Sequence, residues 1–258
     1  MLSESKSVHF GAAKHWVNAD QFLQGLHRVN IFVGGYGSGK SEVAVNFAIS
    51  LKENGFPVKL GDLDIVNPYF RSREARAVLK EYGVGLLLPP IEIMESDLPL
   101  IQPEVAGALQ NPDGFLVLDI GGDPVGARVL AALQRTIPER DFNCFFILNS
   151  RRPFSGTISE VKRMVEAVER ASGINVTHLV VNSHLIEETS EAVIEEGVRL
   201  AEAVQKEMGK QIGFVAVERR MLMHFDISLL SYPVLVLDRQ LLKPWEQKEQ
   251  LGPQKFKL

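Results

Sequence analysis

One octapeptide restricts this chain more than any other feature. Residues 34–41 read Gly34-Gly35-Tyr36-Gly37-Ser38-Gly39-Lys40-Ser41, a match at every position to the pattern G-x-x-x-x-G-K-[ST]. The setting fits the pattern. The apolar run Val29–Val33 precedes it, and Val43, Phe47 and Leu51 follow at helical spacing until Gly55 supplies a stop. A strand that turns through glycines into a helix start directs backbone N–H groups and the positive end of the helix dipole at one point in space. The ligand suited to that point is polyphosphate. Lys40 is placed to reach its outer oxygens and Ser41 Oγ to ligate Mg2+. Gly34, Gly35, Tyr36, Gly37, Ser38, Gly39, Lys40, Ser41 and the adjoining Glu42 are therefore the candidate phosphate-binding residues.

The rest of the chain repeats the alternation of strand and helix. Further β-rich runs lie at Val58–Leu63, Phe115–Ile120, Cys144–Asn149, Val176–Asn182, Ile212–Val217 and Pro233–Asp238. Most are continuously apolar, as in parallel strands covered on both faces. Between them, Ile158, Val161, Val165 and Val168 form one helical stripe, and Ile194, Val198, Ala201, Val204 and Met208 another. The fold class expected is α/β, a doubly wound, mostly parallel, Rossmann-like sheet flanked by helices. Ligands should lie at the carboxyl ends of the strands. Residues 1–27 read as an N-terminal extension with a short helix around Asn18–Leu26, residues 28–240 as one nucleotide-binding domain, and residues 241–258 as a polar tail.

Composition narrows the partners. With 28 Lys+Arg against 32 Asp+Glu the net charge is −4, which argues against nucleic acid as the main ligand. Cys144 is the only cysteine, so neither an intramolecular disulfide nor a multi-cysteine zinc site can form. It sits in an apolar run and reads as core. No apolar run approaches the roughly 18 residues of a membrane span. Met1–Ser7 lacks the apolar centre of a secretory signal, and a cytoplasmic location is expected.

Two acidic segments accompany the glycine loop, or P-loop. Phe115-Leu-Val-Leu-Asp119-Ile-Gly-Gly122 has the form of a Walker B strand. Asp119 would hold Mg2+ directly or through water, and the Gly122 N–H would sense the γ-phosphate. Gly61-Asp62-Leu-Asp64 ends the second strand run, and Asp62 or Asp64 could approach Mg2+ and the nucleophile. Arg71, Arg73 and Arg76 beyond it read equally as ligands of a γ-phosphate or an acidic substrate and as a solvated helix face, and Arg151 and Arg152 after the fourth run equally as ligands of phosphate or a protein partner and as plain surface loop. Met221, Met223, His224, Phe225 and Asp226 read as core packing first and as a partner surface second.

The order of P-loop, Asp-x-Asp and Leu-Asp-x-Gly-Gly resembles the SIMIBI class of P-loop NTPases. Within that class it is most similar to the MinD/ParA/CobQ-type nucleotide-binding group, over roughly residues 28–240. The resemblance implies that Lys40, Asp64 and Asp119 carry catalysis, with Asp64 orienting the attacking water and Ser41, Asp64 and Asp119 around Mg2+. It also implies a nucleotide-dependent homodimer or partner-bound switch with slow intrinsic hydrolysis. The chain departs from the group at one place. MinD-type members carry a second lysine early in the loop, and Gly35 and Tyr36 stand there here.

A guanine-specific N/T-K-x-D motif would offer a carboxylate to the base. The candidate segment Val181-Asn182-Ser-His184-Leu185 keeps Asn182 but neither the lysine nor the aspartate. ATP is therefore expected over GTP, with Asn182 at the adenine and His184 an ordinary loop residue. Three functions fit: an ATPase switch acting on a protein partner, a kinase transferring the γ-phosphate to a small-molecule or polynucleotide hydroxyl, and a non-hydrolysing ATP-binding scaffold. The switch is the leading expectation, because a kinase lid could lie only within residues 66–110, where Glu92–Pro103 is rich in acids and prolines rather than arginines.

Overall fold

A computed structural model describes residues 15–63, 76–87, 103–110, 112–121, 124–137 and 141–241. Their strands form one sheet. Its members in chain order are β1 (Trp16–Val17), β2 (Val29–Gly34), β3 (Val58–Leu63), β4 (Gly85–Leu87), β5 (Phe115–Ile120), β6 (Phe142–Leu148), β7 (His178–Val181), β8 (Gln211–Glu218) and β9 (Val234–Leu237). Across the sheet they lie in the order β1-β9-β8-β7-β6-β2-β5-β3-β4. All pairs are parallel except β1 with β9. The expected doubly wound α/β fold is present.

The helices are α1 (Asp20–Gln24), α2 (Lys40–Glu53), α3 (Arg76–Glu81), α4 (Pro103–Gln110), α5 (Pro124–Leu133), α6 (Ile158–Ser172) and α7 (Glu191–Met208). They cover both faces, and this is why the strands read as continuous apolar runs. In β2, Ile31 joins a core closed by α4, α5, α6 and α7 through Leu109, Leu130, Val161 and Ile194. Phe32, one residue on, points to the opposite core, closed by α1, α2 and α3 through Leu23, Phe47 and Leu79. That second core is aromatic. Phe47 and Phe214 stack at 5.9 Å, and Trp16 meets both edge-on. Each fully buried phenylalanine there contributes about 1.5–3 kcal/mol.

Local signals explain the helix ends. Thr157 caps α6 in a reciprocal capping box with Glu160, and Gly173 and Gly209 close α6 and α7 in left-handed conformations.

The described part of residues 1–27 is not a separate extension. β1 pairs with β9, Trp16 Nε1 donates to Ser50 Oγ at 3.0 Å, and Leu23 is buried beneath α2. The short helix around Asn18–Leu26 is present as α1. Residues 242–258, most of the segment read as a tail, lie outside the described residues. Leu241, at its start, is buried. Cys144 is fully buried in the sheet, and burial pushes its thiol up to about 12.

Candidate functional site

The sheet order places the P-loop at the centre. β2 lies between β5 and β6, and α2 leaves its carboxyl end. Gly39, at the N-cap of α2, is left-handed at φ 85°, a conformation that costs a side-chain-bearing residue about 1–2 kcal/mol. A side chain there would also displace Asn182, since a Cβ on Gly39 would collide with its Nδ2. Lys40 and Ser41 open α2 and are both buried. Ser38 Oγ is buried with no hydrogen-bond partner among the described residues. Unsatisfied buried hydroxyls are rare, and a phosphate oxygen would satisfy this one.

β5 brings the acid. Asp119 pairs in register with Phe32 of β2 on one side and with Asp62 of β3 on the other. Strand alternation puts Phe115 and Val117 in the core beneath α2, so Asp119 lies on the α2 face, where Lys40 and Ser41 begin the helix. Asp62 is on that face too, two residues beyond Leu60. Both carboxylates are fully buried. Asp64, Gly122, Arg71 and Arg73 lie outside the described residues. Of the Asp62/Asp64 pair, the structure therefore describes Asp62 beside Asp119. Ser41 and Asp119 are hard oxygen donors on one face, which suits Mg2+.

Two of the expected residues line the cavity beside the P-loop and also make contacts within the fold. Asn182 follows β7 and donates from Nδ2 to the Ser38 carbonyl at 2.8 Å, so its amide braces the P-loop. Glu42 accepts from the backbone N–H groups of Gln240 at 2.6 Å and Leu241 at 3.1 Å, and from Asn46 Nδ2 at 3.1 Å. Burial pushes its carboxyl above the ordinary value, while those donors pull it back. Glu42 thus ties the first turn of α2 to the segment after β9. Tyr36 is 78% exposed at the loop's outer edge. At the place of the absent second lysine, a Cβ on Gly35 would stand 2.5 Å from Met164 Cε of α6, the flexible end of a side chain that can shift.

Beside the P-loop is a cavity of about 390 Å3. Its walls come from the carboxyl ends of β7, β8 and β9, with Ile186, Ile194, Val217 and Leu241 supplying apolar surface. Ile186 holds φ 55°, an unusual state for a β-branched residue and one that marks functional loops. The three carboxylates on the wall are all engaged. Glu42 is bound as above, Glu218 accepts from Arg220 Nε at 2.9 Å, and Asp238 receives a two-pronged bond from Arg219 at 2.7 and 2.9 Å. His184 lines the same wall. Burial first, then the charges of Arg152, Arg239 and Arg220, hold its imidazole down at about 4, so it is neutral near pH 7. Ile186 N–H donates to His184 Nδ1 at 3.4 Å, leaving Nε2 as the protonated nitrogen.

Sequence reasoning missed this wall, because its residues come from three separate strand ends. The rule that ligands gather at the carboxyl edge was the available signal. A parallel sheet, a glycine loop entering a buried helix start, and an acid on the adjacent strand make up the α/β fold of a P-loop nucleoside triphosphatase. Solved structures share it. The cell division protein FtsY of Thermotoga maritima is 14% identical with a TM-score of 0.50, the alignment covering 73% of this chain and 61% of that one. Chloroplast FtsY of Physcomitrella patens is 13% identical with a TM-score of 0.51, covering 73% and 58%. FtsY of Elizabethkingia anophelis in complex with GDP is 18% identical with a TM-score of 0.48, covering 72% and 56%. The chain thus spans about three-fifths of the FtsY proteins it resembles. Neither a known family's sequence profile nor a curated protein matches it.

Proposed function

We propose that the chain is a Mg2+-dependent nucleoside triphosphatase, with ATP preferred, that acts as a slow conformational switch on a protein partner. The observation that carries this reading is the continuity of the phosphate cradle at the start of α2 with the cavity beside it. The cradle suits a polyphosphate and the cavity a nucleoside. The preference for ATP follows from the engaged carboxylates. Guanine needs an acceptor for N1–H and N2–H, and Glu42, Glu218 and Asp238 each already serve another donor. Adenine asks an acceptor only for its N6 amino group, which a backbone carbonyl can supply.

In this reading Lys40 and the loop N–H groups neutralise the β- and γ-phosphate oxygens. Ser41 and Asp119 hold Mg2+, which supplies further charge neutralisation when bound. Asp64 orients the attacking water, a role carried over from the resemblance to the MinD/ParA/CobQ-type group. The water oxygen bonds to Pγ while the Pγ–O bond to the β-phosphate breaks. The leaving electron pair stays on ADP and a water proton is released. A protein partner has candidate ground in the segment after β8. Met221, Phe225 and Ile227 pack inward, while Met223 and Leu229 are 84% and 76% exposed. Among the described residues no helix is long and apolar enough to cross a membrane.

The test is phosphate release from Mg-ATP and Mg-GTP, with binding titrations and a Lys40→Ala control. Slow release that favours ATP and requires Lys40 is expected. Tight Lys40-dependent binding with no release would replace the hydrolase with the scaffold. Phosphate transfer to an added hydroxyl acceptor would replace it with the kinase. Sedimentation with and without nucleotide reports whether a second copy joins.

A further inference from the structure

The two arginines after β6 have separate tasks. Arg151 is taken, its guanidinium paired with Glu196 on α7. Arg152 turns the other way, onto the P-loop. A Cβ built on Gly37 would lie 3.6 Å from Arg152 Cδ and Nε and 3.9 Å from Cζ, so the guanidinium lies across the backbone of the loop. Gly37 itself is left-handed at φ 72°. Arg152 Nε is buried and has no hydrogen-bond partner among the described residues. Leaving a guanidinium N–H dry and unmatched is costly, and such groups call for an explanation.

The loop that carries Arg152 is held firmly. Its N–H donates to Asn149 O at 3.1 Å, and its carbonyl accepts from Ser155 Oγ at 3.0 Å. Ser155 Oγ also donates to Asn149 O at 2.7 Å. Asn149 Oδ1 accepts from Arg151 N at 3.0 Å, and Ser150 is tied to Ser183 at the foot of the cavity wall. Phe154 sits at φ 64°, a strained state for a side-chain-bearing residue that persists only where surrounding contacts fix the loop. A solvated surface arginine would need none of this.

We infer that Arg152 is a phosphate ligand acting in cis: the loop after β6 brings to the polyphosphate on the P-loop the second positive charge that position 35 lacks. This rests on the nucleotide reading above and adds a residue to it. The chemistry favours arginine. Its planar fork can give two parallel N–H bonds to phosphate oxygens. Charge spreads over the equatorial oxygens as phosphoryl transfer proceeds, and a fixed guanidinium stabilises it without reorganisation. A second P-loop lysine of the MinD type serves the partner's phosphates, whereas Arg152 lies across its own loop.

The probe is inorganic tripolyphosphate, which removes the base from the question. Its affinity, and those of ATP and ADP, are measured for the wild type, Arg152→Gln, Arg152→Lys and Lys40→Ala, together with the ligand-free melting temperature. Arg152→Gln should weaken tripolyphosphate and ATP by about 10- to 100-fold, the range of a charged hydrogen bond, and ADP by less. Arg152→Lys should recover part of the loss, with the melting temperature unchanged. Turnover should not return when Arg152→Gln is mixed with Lys40→Ala. Wild-type tripolyphosphate affinity in Arg152→Gln, with Lys40→Ala defective, would overturn the inference and leave the nucleotide reading standing. Restored turnover on mixing would overturn the cis assignment. Wild-type protein that binds neither tripolyphosphate nor nucleotide would remove both.

Discussion

Gly39 and Asn182 should be energetically coupled. The alanine at position 39 meets two obstacles. The left-handed backbone at φ 85° costs about 1–2 kcal/mol for any L side chain. The new methyl also collides with Asn182 Nδ2, which donates to the Ser38 carbonyl at 2.8 Å. That amide must leave, and an unsatisfied buried group costs about 1–3 kcal/mol. Gly39→Ala alone should therefore cost about 2–5 kcal/mol in the loop. Asn182→Ala alone loses the same hydrogen bond, about 1–3 kcal/mol. In the double variant the collision is gone and the bond is lost once, so the total stays near about 2–5 kcal/mol instead of the sum.

The assay is a double-mutant cycle on Mg-ATP affinity, with chemical denaturation of each variant alongside. Affinity is the right readout because a loop that relaxes in the free protein must be re-formed around the phosphates. Expected is a coupling of about 1–3 kcal/mol, a factor of roughly 5 to 150 in Kd. Additivity within about 0.5 kcal/mol would refute the bracing role of Asn182. Gly39→Ala with wild-type affinity would refute the left-handed N-cap itself.

Three further perturbations follow from buried groups. Glu42→Gln places an amide N–H2 against a backbone N–H of Gln240 or Leu241, so it should destabilise the fold by about 1–3 kcal/mol; an unchanged denaturation midpoint would show that the clamp holds nothing. His184 is held at about 4 when folded and rises toward its ordinary 6.5 when unfolded, so the unfolded chain binds more protons between those values. Stability should therefore fall as pH drops from 6.5 to 4, by up to about 3 kcal/mol from this group. His184→Gln should flatten that slope, and an identical slope in the variant would remove His184 from the account. Cys144, at 0% exposure with its thiol near 12, should react with a thiol reagent at pH 8 only at the rate of unfolding. Labelling before the loss of native signal would contradict its burial.

What the sequence revealed was what is contiguous. The P-loop is eight adjacent residues, and the seven main strand runs are legible because helices on both faces make most of their positions apolar. β1 and β4 were not legible, being two and three residues long, too short for any periodicity. β1 exists because Trp16 finds Phe47, Phe214 and Ser50, partners spread over almost the whole chain. Asn182 and Glu42 show the same limit within the site. Their residue types suited a base contact and a phosphate-site neighbour, but their partners, the Ser38 carbonyl and the amides of Gln240 and Leu241, are 144 to 199 positions away.

The site accordingly has two halves with different origins. The phosphate half is one turn between β2 and α2, so any sequence that carries the turn announces it. The proposed nucleoside half is an outcome of strand order: β7, β8 and β9 continue the sheet outward from β6, and their carboxyl ends line up beside the loop. In the proposed reading, base preference is set there by which carboxylates remain available. That depends on Arg219 reaching Asp238, on Arg220 reaching Glu218, and on Glu42 capturing the chain after β9. None of those pairings has a motif, since each is fixed by packing. Releasing a carboxylate should therefore change the base while the P-loop stays intact. Arg220→Ala frees Glu218 from its Nε partner and should shift selectivity toward GTP, as read from the ratio of Mg-GTP to Mg-ATP affinities. A ratio unmoved by that change would mean that the base does not occupy this cavity.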